Sequence, residues 1–398
     1  MLALLVIGVV MVTSAELEID APTQLTLQSI LFGKHSLYAL LALAALGLGS
    51  LVPVQQIYTR RGGSSPIPWL LLGTFVLLLS VHVPGLGHEK NGAVRWINVG
   101  FLTFQPSEVA KWVLPIIVAW HCCRRVGSIT SFRKGFLPPV LIVAACCALI
   151  AGEDLGTAIL IFSVCTLMVL AAGARVWHAA LLAAPAAFAI VGLIITSPYR
   201  VNRILAYLNP YDQPRGIGYH IIQSIAAVGG GGLLGRGLGN SIRKFGYLPE
   251  DTTDFIFAII CEELGIAGAL IVISLYAVLV VCGLGVIRRA DSAFARLLGL
   301  GIVLTIGLQA ALNLAVVTGL APTKGIALPL LSRGGTGWLM TAFSIGLLVS
   351  IDRVASAKER ALAAEADDDE DAEFDLTEAQ PAVARQDAID GEMEPATA

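Results

Sequence analysis

A chain of 398 residues with 56% hydrophobic and only 14% charged side chains lies far from an ordinary soluble domain, in which about a quarter of residues are charged. The seven cysteines (Cys122, Cys123, Cys146, Cys147, Cys165, Cys261 and Cys282) all lie in or beside apolar runs, which excludes a disulfide framework or a zinc motif. The six histidines are scattered and the formal net charge is −3, so neither a histidine metal site nor a nucleic-acid partner is expected, and the chain reads as an all-α polytopic membrane protein.

In chain order, MLALLVIGVVMVTSA is shorter than the roughly 20 apolar residues that span a bilayer, yet it lacks the basic start of a secretory signal. It reads as a clipped first transmembrane helix rather than a cleaved signal, and both readings put Glu16, Glu18 and Asp20 outside. Apolar runs then recur at about 36–54, 66–83, 106–121, 136–151, 156–172, 177–196, 255–287, 293–317 and 334–351, giving about ten helices. Arg60 and Arg61, then Arg124, Arg125, Arg133 and Lys134, then Arg175, then Arg288, Arg289 and Arg296 fall in alternate loops. Because short basic loops stay cytoplasmic, both termini are expected inside. The connections at 84–105, 197–254 and 318–333 are expected outside, the long one at the seventh-to-eighth helix junction.

The first outer loop, GHEKNGAVRWINVGFLTFQPSEVAKW, delivers Arg95, Trp96, Glu108 and Lys111 to the outer boundary. Trp96 is by default an interfacial belt residue. Glu108 and Lys111, three apart on one helical face, either neutralise each other or line a cavity. In the long loop, residues 197–249 hold Arg200, Arg203, Arg215, Arg236, Arg243 and Lys244 against the single acid Asp212. This is a cationic vestibule for an anionic ligand, unless the arginines simply snorkel to lipid phosphates. Within it GIGYHIIQSIAAV reads as a short interfacial amphipathic helix. GGGGLLGRGLGNSIRKFG reads as a flexible external loop, since no strand-to-helix context or GK[ST] makes it a nucleotide loop.

The stretch GYLPEDTTDFIFAIICEELG crowds five carboxylates, Glu250, Asp251, Asp254, Glu262 and Glu263, at the entrance to an apolar run reaching Ile287. That run is too long for one crossing, so tilt or projection is expected. Asp254 then stands at the outer interface with Glu262 about 12 Å deeper. Asp251 or Asp254 could cap the helix, but Glu262 and Glu263 need buried partners. After Ile351 the chain holds 15 acids against 4 bases, which reads as a disordered acidic cytoplasmic tail over 352–398 following a membrane domain over 1–351.

Taken together, NGAVRWI, QPSEVAK, DLGTA, NPYDQPRGIGY, QSIAAVGGGGLLGRGLGNS, YLPEDTTDFIFAI, EELG and PTKGIALPLLSRGG resemble, in order, the SEDS family (shape, elongation, division and sporulation) of FtsW, RodA and SpoVE. GLGNSIRKFGYLPE and PTKG are more similar to the FtsW and SpoVE branch. The resemblance implies a peptidoglycan glycosyltransferase that polymerises lipid II at the outer face of the bacterial cytoplasmic (inner) membrane, at the division septum. Its implied partners are a cognate class B penicillin-binding protein transpeptidase and other divisome membrane proteins. The family's catalytic acidic residue falls on Asp254.

Such a reaction needs cations for the pyrophosphate, for which Arg95, Arg203, Arg243, Lys244 and Lys324 are the candidates, Lys244 and Lys324 foremost. Glu250 and Glu108 are expected to orient these cations or the sugars, and Trp96, Lys111 and Ser332 are expected with them among the substrate-binding residues. No cofactor is required, although a divalent cation held by nearby acids is compatible. The chain departs from the family pattern at Thr252, commonly His, at GEDLGTA from Gly152, and at SRGGTG from Ser332, where Arg333 adds a charge. Two other classes fit many helices with interior charges: a lipid-linked precursor flippase or transporter, which would need ionisable groups near mid-bilayer, and a non-catalytic division scaffold.

Overall fold

The structure, a computed structural model, describes residues 1–17, 26–60, 65–90, 93–99, 102–333 and 335–390. Glu18, Asp20 and Arg61, whose sidedness the sequence assigns, lie outside these. The chain divides into two compact units, Met1–Ile351 and Asp352–Ala398.

The first unit is a helical bundle. Its apolar helices are α1 (Leu2–Ala15), α3 (Lys34–Leu51), α5 (Ile67–Ser80), α6 (Pro106–Arg124), α7 (Leu137–Ala151), α8 (Leu155–Ala171), α9 (Val176–Ile195), α12 (Ile256–Arg289), α13 (Ala293–Val317) and the start of α14 (Gly335–Asp390). Short helices α2 (Leu27–Leu31), α4 (Val54–Thr59), α10 (Pro198–Leu208) and α11 (Tyr219–Gly230) lie between them. Among the described residues six helical stretches are long and apolar enough to cross a membrane, and α1, α5 and α8 are shorter apolar helices. The helix ends follow local chemistry: Asp154 accepts from the Thr157 amide at 3.0 Å to cap α8, Ser292 from the Ala295 amide at 3.1 Å to cap α13, and proline opens α6 where a missing N–H costs nothing. At the centre α13 packs against α12, α6 and α8, while α9 buries no residue and touches only the rim.

Three expectations change. The connection before α6, in a chain expected to be all-α, holds a three-stranded antiparallel sheet of β1 (Gly87–Lys90), β2 (Ala93–Val99) and β3 (Leu102–Phe104). The alternating Val-Arg-Trp-Ile-Asn-Val of β2 is a period-2 signal, and it puts Arg95 on one face with the buried Ile97. The long α12 does not simply tilt. It breaks at Gly265 (φ 67°, ψ −162°), where a Cβ would overlap the backbone of Gly235 and Leu233, so only glycine fits. The glycine-rich stretch is correspondingly not a free loop. The Arg236 and Gly237 amides donate to the Glu262 and Glu263 carbonyls, each at 3.0 Å, and the Ile266 and Ala267 amides donate to the Gly232 and Leu233 carbonyls at 3.0 and 3.2 Å. Backbone freed by the break is thereby re-satisfied.

In the second unit the acidic segment, expected to be disordered, continues as helix to Asp390. Its start, ASAKERALAAE over 355–365, has high helix propensity, whereas the Asp-rich run and Pro381 that follow do not.

Candidate functional site

The described parts of the three connections expected outside converge on the turn that precedes α12. Glu250 adopts a left-handed backbone (φ 57°), a conformation costing a non-glycine residue about 1–2 kcal/mol, and its carbonyl accepts from the Thr253 and Phe255 amides at 3.2 Å each. The turn that results presents Asp254, half-buried, beside the extended segment 322–328. A Cβ built on Gly325 would lie 3.1 Å from Asp254 Oδ2 and 3.8 Å from Arg95 Nη1, so the carboxylate and the guanidinium flank one glycine.

Three cations (Arg95, Arg203 and Lys324) and four carboxylates (Asp154, Glu250, Asp251 and Asp254) interact around this turn. Burial pushes the Asp254 carboxyl up to about 7, with Glu250 and Asp154 adding to the rise and Arg203 and Arg95 opposing it. Burial likewise pushes Asp251 up to about 6, reinforced by Glu250 and opposed by local backbone hydrogen bonds. Lys324 is lowered by burial and partly restored by Asp154. Arg203 stacks over the Tyr199 ring at 4.5 Å and donates to the Thr323 carbonyl at 3.1 Å, which ties α10 to the segment carrying Lys324. Trp96 sits in β2 opposite His88.

Of the cations expected at the site, Arg95, Arg203 and Lys324 are therefore together, and two are not. Lys244 is buried with its side chain 0% exposed, and it donates to Glu263 Oε1 at 3.1 Å, to the Ser14 carbonyl at 3.0 Å and to the Gly239 carbonyl at 2.7 Å. Arg243 Nη1 donates to Glu262 Oε1 at 2.9 Å. The physical reason is the one the sequence raises for Glu262 and Glu263: an unpaired charge at that depth is costly, so the nearest cations are consumed as counter-ions. Ser14 Oγ also donates to Glu263 at 2.7 and 2.9 Å, and Ser241 Oγ donates to Glu262 at 2.5 Å.

Lys111 is likewise buried. It donates to both Glu108 oxygens at 2.9 and 2.8 Å and to Gln309 Oε1 at 2.9 Å. Gln309 Nε2 in turn donates to the Ala327 carbonyl at 2.7 Å, so this pair props the 322–328 segment from beneath rather than facing solvent. Ser332 Oγ accepts from the Leu328 amide at 2.6 Å and donates to the Thr253 carbonyl at 2.5 Å. The Arg333 amide donates to the Thr252 carbonyl at 2.7 Å, while its guanidinium pairs with Glu16 at 3.2 Å. Thus the SRGG departure is tied to the end of α1.

Three residues at or near the site have no counterpart among the expected ones. Asp154 is the α8 cap. His220 on α11 stacks on Phe255 at 6.3 Å, its pKa lowered by burial and by Arg203 against the pull of Glu250. Asn313 on α13 reaches the Asp254 carbonyl. A polar residue inside an apolar helix was the available signal for Asn313; Asp154 lies in the DLGTA motif, and His220 carries no signal beyond its type. Among the described residues no group of three or more His, Cys, Asp or Glu side chains is placed to hold a metal ion.

Against known proteins, the profile of the cell cycle protein family FtsW/RodA/SpoVE matches residues 1–357. Stage V sporulation protein E of Bacillus subtilis is 39% identical over 355 residues, covering 88% of this chain and 94% of the relative. A probable peptidoglycan glycosyltransferase FtsW of Geobacter sp. strain M18 is 39% identical over 345 residues, covering 86% and 92%. Among solved structures, a chain of a peptidoglycan synthase complex, solved for the structural coordination of polymerization and crosslinking, superposes with a TM-score of 0.68 at 26% identity, covering 89% and 97%. The rod shape determining protein RodA of Thermus thermophilus shares the fold, with a TM-score of 0.58 at 23% identity, covering 88% and 94%.

Proposed function

The chain belongs to the cell cycle protein family of FtsW, RodA and SpoVE, and from that premise we infer that it is a multi-pass membrane peptidoglycan glycosyltransferase that polymerises lipid II, with Asp254 as general base. The work is done at the outer face of the bacterial cytoplasmic membrane, at the division septum. The growing strand is passed to a class B penicillin-binding protein that cross-links it, alongside other divisome membrane proteins. The synthase complex among the structural relatives supports a cross-linking partner.

The observation that carries the chemistry is a carboxylate raised to about 7 amid cations. A general base works best when its pKa lies near the operating pH. Asp254 takes the proton of the GlcNAc 4-hydroxyl of one lipid II as that oxygen attacks the MurNAc anomeric carbon of another. The C–O bond to the polyprenyl pyrophosphate breaks, and the leaving group departs with the electron pair. A glycosidase needs a second carboxyl as acid for a poor alkoxide leaving group. Pyrophosphate needs charge stabilisation instead, for which Arg95, Arg203 and Lys324 are in place beside the turn. Glu108, Lys111, Glu250 and Ser332 act by holding the turn and the 322–328 segment rather than by touching substrate, and Trp96 lies on the central strand β2, on the opposite face from Arg95.

Purified protein given fluorescent lipid II in detergent or liposomes is expected to yield polymer on a gel. Lipid movement across the liposome without polymer would favour the flippase, and neither product would favour the scaffold. Gly325→Ala tests the geometry. Its Cβ, 3.1 Å from Asp254 Oδ2, must displace the carboxylate by a few tenths of an ångström. Polymerisation kcat is expected to fall about 3- to 10-fold with the thermal unfolding midpoint unchanged; an unaltered kcat would show that Asp254 needs no such placement.

A further inference from the structure

Asn313, 1% exposed near the C-terminal end of α13, has one polar group in use and one idle. Its Nδ2 donates to the Asp254 carbonyl at 2.8 Å and to the Ile326 carbonyl at 2.7 Å, while its buried Oδ1 has no partner. Two carbonyls on the same atom fix the amide's orientation, because the flipped form would set oxygen against oxygen. The Asp254 carbonyl needs this donor: at the start of α12 the Ala258 amide turns to Phe255 O at 2.9 Å instead, and an orphaned buried carbonyl is costly. The Ile326 carbonyl belongs to the residue after Gly325, where a Cβ would lie 3.1 Å from Asp254 Oδ2. One side chain therefore sets the distance between the turn that presents Asp254 and the segment it faces.

We propose that Asn313 is a positioning residue for Asp254, a two-pronged donor that registers the catalytic turn against the Gly325 segment. This deepens the glycosyltransferase reading and rests on it. Gln309, one helical turn earlier, holds the neighbouring Ala327 carbonyl, so α13 carries a short ladder of amides under the segment. Of the two, only Asn313 also reaches the catalytic turn.

The test uses the full-length protein with Asn313→Ala and Asn313→Leu. The leucine variant keeps the branched heavy-atom shape of the side chain, with somewhat greater bulk, while removing both N–H donors. Polymerisation kcat is expected to fall about 10- to 100-fold, the size of loss that follows misplacing a catalytic group, with KM within about threefold. The acid limb of kcat/KM is expected to move to lower pH. Asp254 is faced by Glu250 on its own turn, Asp154 at the start of α8, Arg95 on β2 and Arg203 on α10, and burial is the main cause of its raised value; a loosened turn returns the carboxyl to solvent.

Wild-type kcat and pH profile in both variants would overturn the proposal. So would failure to recover either variant folded, since the residue would then serve folding alone. Asp254→Asn run in the same assay separates the two readings. If it polymerises normally, the assignment of Asp254 fails. If it is dead while the Asn313 variants behave as wild type, only the role of Asn313 fails.

Discussion

Asp254→Asn is expected to lower lipid II polymerisation by about 10²- to 10⁴-fold, the usual contribution of a positioned general base, with KM nearly unchanged. The amide keeps the side chain's size and its backbone clamps, the Asn313 and Ser332 hydrogen bonds to the turn, but cannot accept the proton. The same substitution is expected to stabilise the protein above neutral pH. The folded-state carboxyl is raised from 3.8 to about 7, so the native state holds its proton more tightly than the unfolded chain. That stabilising effect is fully present below about pH 4 and is lost as pH rises through 7. The asparagine, neutral throughout, avoids the loss. The gain at pH 8 is at most about 4 kcal/mol and smaller in practice, because Asp254 keeps some solvent access. Thermal unfolding of both proteins at pH 5 and pH 8 checks the sign: the gap between the midpoints, already open at pH 5, should widen at the higher pH. A site that holds an activity-bearing group at a stability cost trades one property against the other.

Glu263→Ala is expected to destabilise the bundle by about 3–5 kcal/mol, the cost of leaving a buried charge without its partner. The stranded charge is Lys244, whose ammonium is fully enclosed between Glu263, the Ser14 carbonyl and the Gly239 carbonyl. Glu263 also accepts from Ser14 Oγ and from the Gly239 amide at 3.0 Å, so the loss reaches three elements at once: the end of α1, the glycine-rich stretch and the first turns of α12. Lys244→Met on top of Glu263→Ala removes the stranded charge and is expected to recover part of the stability without restoring the link to α1. The unfolding midpoints of the wild type, the two single variants and the double variant in detergent measure the coupling. Additive effects would show that the pair is not an interacting unit.

The helical bundle is legible because a bilayer imposes length and apolarity on whatever crosses it; each expected apolar run coincides with a helix, and among the described residues six helical stretches are long and apolar enough to cross a membrane. The sheet was missed although Val-Arg-Trp-Ile-Asn-Val alternates, because three- to seven-residue strands in a loop leave little pattern. At the site, residue type showed which side chains carry charge but not where each charge is spent. Lys244 and Lys324 are level in the sequence, and the difference between them is that one is paired with buried Glu263 and the other interacts with Asp154. The requirement that Glu262 and Glu263 find buried partners was sound, and it is this requirement that draws Arg243 and Lys244 away. Asn313 and Gln309 carried a readable signal, two amides four apart in an otherwise apolar helix, whose targets are backbone carbonyls that no sequence displays.

The pH dependence of kcat/KM for lipid II polymerisation by the wild-type protein bears most directly on whether Asp254 is the base. It reports the essential groups of the free enzyme, and for a base that must be ionised to act, the rate should climb with pH, tenfold for each pH step below the bend, and level off near 7. A rate already at its plateau from pH 5 upward would contradict the assignment, because an ordinary exposed carboxylate, or no carboxylate at all, would then be doing the chemistry.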